Sequence, residues 1–221
     1  MRALLQAEWA DADEQMRTVQ GGENERGHLG ASIGGRSVVP YQPSGPVPEL
    51  DVDFGRLSPA SRFVRAGKFH GDEWIHDPAM RGWVYAATTD QLAVRCADHL
   101  AAAGPEGWFA STDRRLGVVV DPSVVAKPND VPEPEAREQK RGGVGSFLGK
   151  ARTALGAVAE FSEGFTKSGP QFVVLWECSI DSVADDRMVG KGRSTIPYQF
   201  LRVDFVDGSA LELNVNIHAL I

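Results

Sequence analysis

The chain has 221 residues, 42% of them hydrophobic and 24% charged, with a formal net charge of −7 and two cysteines. That is enough chain for one sizeable domain with its own core. It excludes a disulfide framework and leaves no overall electrostatic footprint for nucleic acid, so no nucleic-acid partner is expected.

The opening MRALLQAEWADADEQ carries four acidic residues and lacks the apolar stretch of a secretory signal. No run reaches the roughly 18 apolar residues of a membrane span. The expected compartment is a reducing cytoplasm, with peripheral membrane attachment as the alternative. Residues 3–18 are expected to form a short helix around Leu4, Leu5, Ala7 and Trp9. The stretch 21–35 holds six glycines among polar residues and reads as a flexible arm. Four prolines between 38 and 51 favour an extended connection. Residues 1–50 are therefore read as an appendage to a single domain spanning 51–221.

Ser58-Pro59 sets an N-cap and a first-turn proline, so 58–66 is expected to be a short helix. Short strands are expected near Lys68–Phe69 and Trp83–Ala86. Residues 88–103 have apolar positions Leu92, Cys96, Leu100 and Ala103 at helical spacing. Thr88 or Thr89 is the expected cap, and Gly104-Pro105 the stop. Two strand-like runs, GWFAST and RRLGVVV, flank a polar turn. Residues 124–143, rich in proline and charge, read as a mobile loop. An amphipathic helix is expected over 144–167, with Val144, Phe147, Leu148, Ala151, Leu155, Val158 and Phe165 on one stripe. QFVVLWECSI reads as a strand, DSVADD as a helical turn and RMVGKGR as a short strand. YQFLRVDFV and SALELNVNI alternate in hydrophobicity around Asp207-Gly208, a strong hairpin signal. Leu201, Val203 and Phe205 share one face of the first strand; Leu211, Leu213, Val215 and Ile217 share one face of the second.

The stretch ASTDRRLGVVV, residues 110–120, could be a carboxylate with anion-binding arginines or a hairpin tip. Asp and Thr supply turn hydrogen bonds, which favours the hairpin. With Trp108, Phe109, Thr112, Arg115, Leu116 and Val118, it resembles the "TxxRL" hairpin of bacterial pleckstrin-homology-like domains, including the GRAM-like kind. LWECSIDSVADDR and LRVDFVDGSALEL resemble that family's Trp-containing strand and its late Phe-x-Asp-Gly hairpin. The resemblance spans about 107–217. It implies an α+β fold with an antiparallel pleckstrin-homology-like β-roll or barrel, packed helices and the extended N-terminal arm. A loop and helix over 121–168 would be inserted in the roll. No closing helix follows the last strand in the sequence as given, so 88–103 or 144–167 would take that capping role. Family members bind lipids or proteins, so the resemblance implies a binding module without naming its ligand.

Three clusters are candidates for chemistry. His70, Asp72, Glu73 and His76, followed by Asp77, combine imidazole with carboxylates as a Zn²⁺ site or acid–base pair would. Their spacing fits no motif of known geometry, and a polar loop is the plainer account. Arg137, Lys140, Arg141, Lys150 and Arg152, around and within the expected helix, suit an anionic lipid surface; a helix covering the sheet is the competing reading. Cys96 with His99 lies on the 88–103 helix, Cys178 is distant in sequence, and Cys96 reads as core. Phe172, Val174 and Trp176 are expected to share one inward face. No nucleophile elbow, phosphate loop or dinucleotide fingerprint occurs, so no cofactor is expected. The reading is a non-enzymatic binding or scaffold module with a protein partner, a second copy of the chain being one option. The alternatives are a peripheral anionic-lipid-binding protein using 137–167, and a small metal-dependent hydrolase using the His70–His76 cluster.

Overall fold

A computed structural model describes residues 1–22, 26–67, 69, 71–125, 172–192 and 195–215. His70, Lys68, the expected helix 144–167 and all but the first two residues of the expected loop 124–143 lie outside the described residues. In chain order the elements are helix α1 (Arg2–Glu8), strands β1 (Met16–Gly21), β2 (His28–Ile33) and β3 (Arg36–Val38), helix α2 (Arg62–Ala66) and strand β4 (Met80–Ala86). Helix α3 (Leu92–Ala103) follows, then strands β5 (Trp108–Thr112), β6 (Arg115–Val120), β7 (Val173–Ser179), β8 (Val183–Lys191), β9 (Tyr198–Phe205) and β10 (Ala210–Asn214).

The strands form two sheets, ordered β1-β5-β6-β7 and β3-β2-β4-β10-β9-β8. Every pairing is antiparallel except β2 with β4. This is an α+β protein, and its sheets do not close into a barrel among the described residues. Leu116, Val118 and Phe109 of the smaller sheet share one core with Val84, Leu201, Val203, Phe205, Leu211 and Leu213 of the larger. Helix α3 lies in that core, with Ala93, Val94, Cys96, Ala97 and Leu100 buried. Period-2 alternation sends the intervening residues outward. Ala110 and Val119 therefore meet Leu5 and Trp9 of the N-terminal segment. Trp83 and Phe200 meet Val64, Trp74 and Ile75 on the far face of the larger sheet.

The described part of residues 1–50, read as an appendage from the sequence, contributes strands to both sheets. The helix ends at Glu8, and residues 16–21 pair with β5. Residues 28–33 lie beside β4 in the larger sheet. The glycines serve geometry there. Gly34 and Gly35 have φ of +56° and +77°, at the tight turn between β2 and β3. A Cβ on Gly30 would sit 2.3 Å from the Trp83 ring. The proline-rich stretch does lack regular structure, but it is tied down. The Tyr41 amide donates to the Leu29 carbonyl at 2.7 Å. The fully buried Asp98 carboxylate of α3 accepts from Tyr41 Oη at 2.6 Å, Ser44 N at 2.7 Å and Gly45 N at 3.1 Å.

Other boundaries move for local reasons. Helix α2 is shorter than 58–66 because Ser61, not Ser58, caps it by accepting from Val64 N; the Ser58 amide is engaged with the Arg26 carbonyl. Residues 71–76 form a 3-10 turn, Phe69 lies outside any strand, and β4 starts at Met80. Helix α3 starts at Leu92, not at the threonines. Its first amides are capped from the β9–β10 turn: Leu92 N donates to Asp207 Oδ2 at 2.6 Å and Ala93 N to Ser209 Oγ at 3.1 Å. The expected helical turn over 181–186 is a 3-10 turn only at Ile180–Ser182; from Val183 the chain is the nine-residue β8. Phe172, Val174 and Trp176 do not share one face. Val118 pairs with Trp176 but Val119 with Val174, so Leu175 is an extra residue, a β-bulge that breaks the alternation. Trp176 packs on the central core, Phe172 joins the N-terminal cluster and Val174 is exposed.

Candidate functional site

The polar cluster at 112–115 is a hairpin tip with a structural task. Thr112 Oγ1 accepts from Arg114 N at 3.1 Å and Arg115 N at 3.0 Å, which tightens the β5–β6 turn. Asp113 Oδ1 accepts from Gln15 N at 2.9 Å, and that hydrogen bond holds its carboxyl below its usual range. Arg115 donates to the Trp9 carbonyl at 2.7 Å and to Glu14 Oε2 at 3.2 Å, with its guanidinium 4.9 Å from the Trp9 ring centre. The tip thus fastens residues 9–15 to the smaller sheet.

The 70–77 stretch is dispersed by its 3-10 turn. Asp72, Glu73 and His76 are exposed, while Trp74 and Ile75 point into the core. The His76 ring stands edge-on to Tyr198 at 5.6 Å. Asp77 is buried, accepting from Ser61 Oγ and from Ala79 N. An open cavity of about 510 Å³ lies between Phe63, Phe69, Glu73 and His76. Among the described residues no three His, Cys, Asp or Glu side chains stand together as a metal site requires; His70 is outside them. Arg137, Lys140, Arg141, Lys150 and Arg152 are likewise outside the described residues.

Both thiols sit toward the central core. Burial pushes Cys96 well above its ordinary value and Cys178 up to about 11. Each is protonated at neutral pH and neither is an activated nucleophile. His99 Nδ1 bonds to the Arg95 carbonyl at 2.9 Å, within its own helix.

The principal charged feature was not singled out from the sequence. Glu212 of β10 is fully buried. Its carboxylate accepts from Arg202 Nη1 at 2.8 Å, Lys191 Nζ at 2.7 Å and Tyr85 Oη at 3.2 Å. Arg202 also donates to Asp204 at 2.7 Å, Asp204 accepts from Arg187 at 2.6 Å, and Arg187 pairs with Asp185. Three acids and three bases thus alternate across β8, β9 and β10. Burial, then the Glu212 charge, pushes the Tyr85 phenol far up, so it stays a neutral donor. Hydrogen bonding to Asp204 outweighs burial and holds Arg202 firmly cationic. A self-neutralised network of this kind fixes cross-strand register. The signal was present as Lys191, Arg202 and Glu212 on alternate strand positions; the register that joins them was not.

Beside this network, among the described residues, lies a sheet edge: strand β8 pairs there only with β9. Most of its residues are exposed on both faces, and Met188 is 50% exposed. Beside it, Ile196 and Tyr198 are 78% and 43% exposed. The other edges are short or interrupted. Strand β3 has three residues, while β1 and β7 each carry a register shift. In β8 the shift lies at Ala184, and Asp185–Lys191 pair with β9 without a break. No helix among the described residues is long and apolar enough to cross a membrane. In comparisons with protein-family models, curated proteins and solved structures, nothing matches the chain.

Proposed function

We propose that the chain is a non-enzymatic binding module of pleckstrin-homology-like type that captures a protein through the β8 edge. The observation that carries this reading is the uninterrupted run Asp185–Lys191, paired on one side only among the described residues and stiffened from behind by the Glu212 network. An extended segment can add to such an edge, gaining main-chain hydrogen bonds for affinity and side-chain contacts for selectivity. Natural sheets cover, shorten, bulge or charge their edges against chance pairing, and the charges of β8, Asp185, Asp186, Arg187 and Lys191, restrict which segments can add to it. Support for the pleckstrin-homology-like reading comes from two antiparallel meanders, β5-β6-β7 and β8-β9-β10, in separate sheets, with α3 packed against both sheets. The test is a photo-cross-linking residue at position 188 in the cell, with position 38 on the three-residue β3 edge as control. A discrete protein adduct at 188 and none at 38 is expected. No adduct at 188 overturns the edge-capture reading.

A further inference from the structure

Resting on that reading of the edge, we infer that β8 pairs antiparallel with β8 of a second copy, about a dyad at Met188. Two copies related by a dyad perpendicular to the sheet keep their faces aligned, so the dyad must fall on a residue. Five centres give overlaps of five residues or more within Val183–Lys191. A dyad at Asp185, Asp186 or Arg187 sets that residue's charge against its own copy. A dyad at Val189 sets Arg187 against Lys191. Like charges directly opposite destabilise a ladder. The Met188 dyad alone is free of this. It places Asp185 opposite Lys191 twice, Arg187 opposite Val189 twice, and Met188 on Met188.

The same register uses only residues 185–191, the stretch that lies clear of the Ala184 irregularity. It covers the half-exposed Met188 and joins two six-stranded sheets into one. The charge pattern of β8 thereby acts as a register key: it admits one self-pairing and rejects its neighbours.

Sedimentation equilibrium of the full chain, from low micromolar to several hundred micromolar, tests this directly. The wild type is expected to move from monomer to dimer, and Met188→Arg to stay monomeric with unchanged near-UV circular dichroism. Mild oxidation of Met188→Cys is expected to give a reducible dimer, because facing residues in an antiparallel pair lie within disulfide reach. Asp186→Cys, Arg187→Cys and the wild type, with its own two thiols, are expected not to cross-link. A wild type monomeric throughout, a dimer indifferent to Met188→Arg, or cross-linking through 186 or 187 in place of 188 overturns the proposal. A monomeric wild type with a position-188 adduct to a different protein overturns self-pairing and leaves edge capture standing. Absence of any adduct overturns both.

Discussion

Replacing Asp98 with alanine tests whether the proline-rich segment is held by α3. The Asp98 carboxylate is fully buried and is the acceptor for Tyr41 Oη, Ser44 N and Gly45 N, at 2.6, 2.7 and 3.1 Å. Hydrogen bonds to a charged group contribute about 1.5–3 kcal/mol each. Their sum is reduced because burying the carboxylate itself costs several kcal/mol, and because the amides at 44 and 45 regain water once released. A net loss of about 3–5 kcal/mol follows. In urea, with a slope of about 2–3 kcal/mol/M, the midpoint should fall by about 1–2.5 M; the melting temperature should fall by about 10 °C. Tyr41→Phe completes a double-mutant cycle, with an expected coupling of at least about 1 kcal/mol. Hydrogen exchange at residues 41–45 should quicken in step. A loss under about 1 kcal/mol, or additivity within about 0.5 kcal/mol, would refute the assignment of Asp98 as the anchor.

Three further outcomes are expected. Gly30→Ala puts a Cβ 2.3 Å from the Trp83 ring, which stacks on Trp74 at 5.4 Å; overpacking should cost about 1–3 kcal/mol and change the near-UV tryptophan signal, and an unaltered spectrum would contradict the packing described. Arg115→Met removes the donors to the Trp9 carbonyl and Glu14 and should speed limited proteolysis within residues 9–15, whereas unchanged cleavage there would mean the N-terminal segment is held by other contacts. At Asp207, burial works against ionisation, but hydrogen bonds from Ser209 and the Leu92 amide outweigh it and hold the carboxyl below its usual value. A depressed folded value stabilises the fold above the unfolded value of about 3.9, and that contribution is lost as pH falls through the folded value. Asp207→Asn should therefore be less stable than wild type at pH 7 and flatter in its stability as pH falls below about 4; parallel pH profiles would show that Asp207 does not carry this linkage.

Period-2 alternation was enough to locate β5, β6, β9 and β10 and to orient Leu201, Val203 and Phe205 inward, because a strand's faces are set by its own backbone. The Asp207-Gly208 turn and the apolar stripe of 92–103 were legible for the same reason: each is a local pattern with one low-energy conformation. The α+β class follows from those elements alone. Within the glycine-rich stretch the structure makes 28–35 a strand and a turn, because glycine marks both freedom and close approach, and only the Trp83 ring over Gly30 and the turn at Gly34-Gly35 tell them apart. The α3 cap was invisible locally because Asp207 and Ser209 lie 115 and 116 residues from the amides they accept from. The Leu175 bulge had no local mark either. Glu212, Arg202 and Lys191 read as scattered charges until strand register set them side by side on β10, β9 and β8. Local patterning thus determines which segments are strands or helices and which way their side chains point. Which strand lies beside which, and hence which edge is left open, is decided by the tertiary structure, since pairing energy depends on neighbours that only folding brings together.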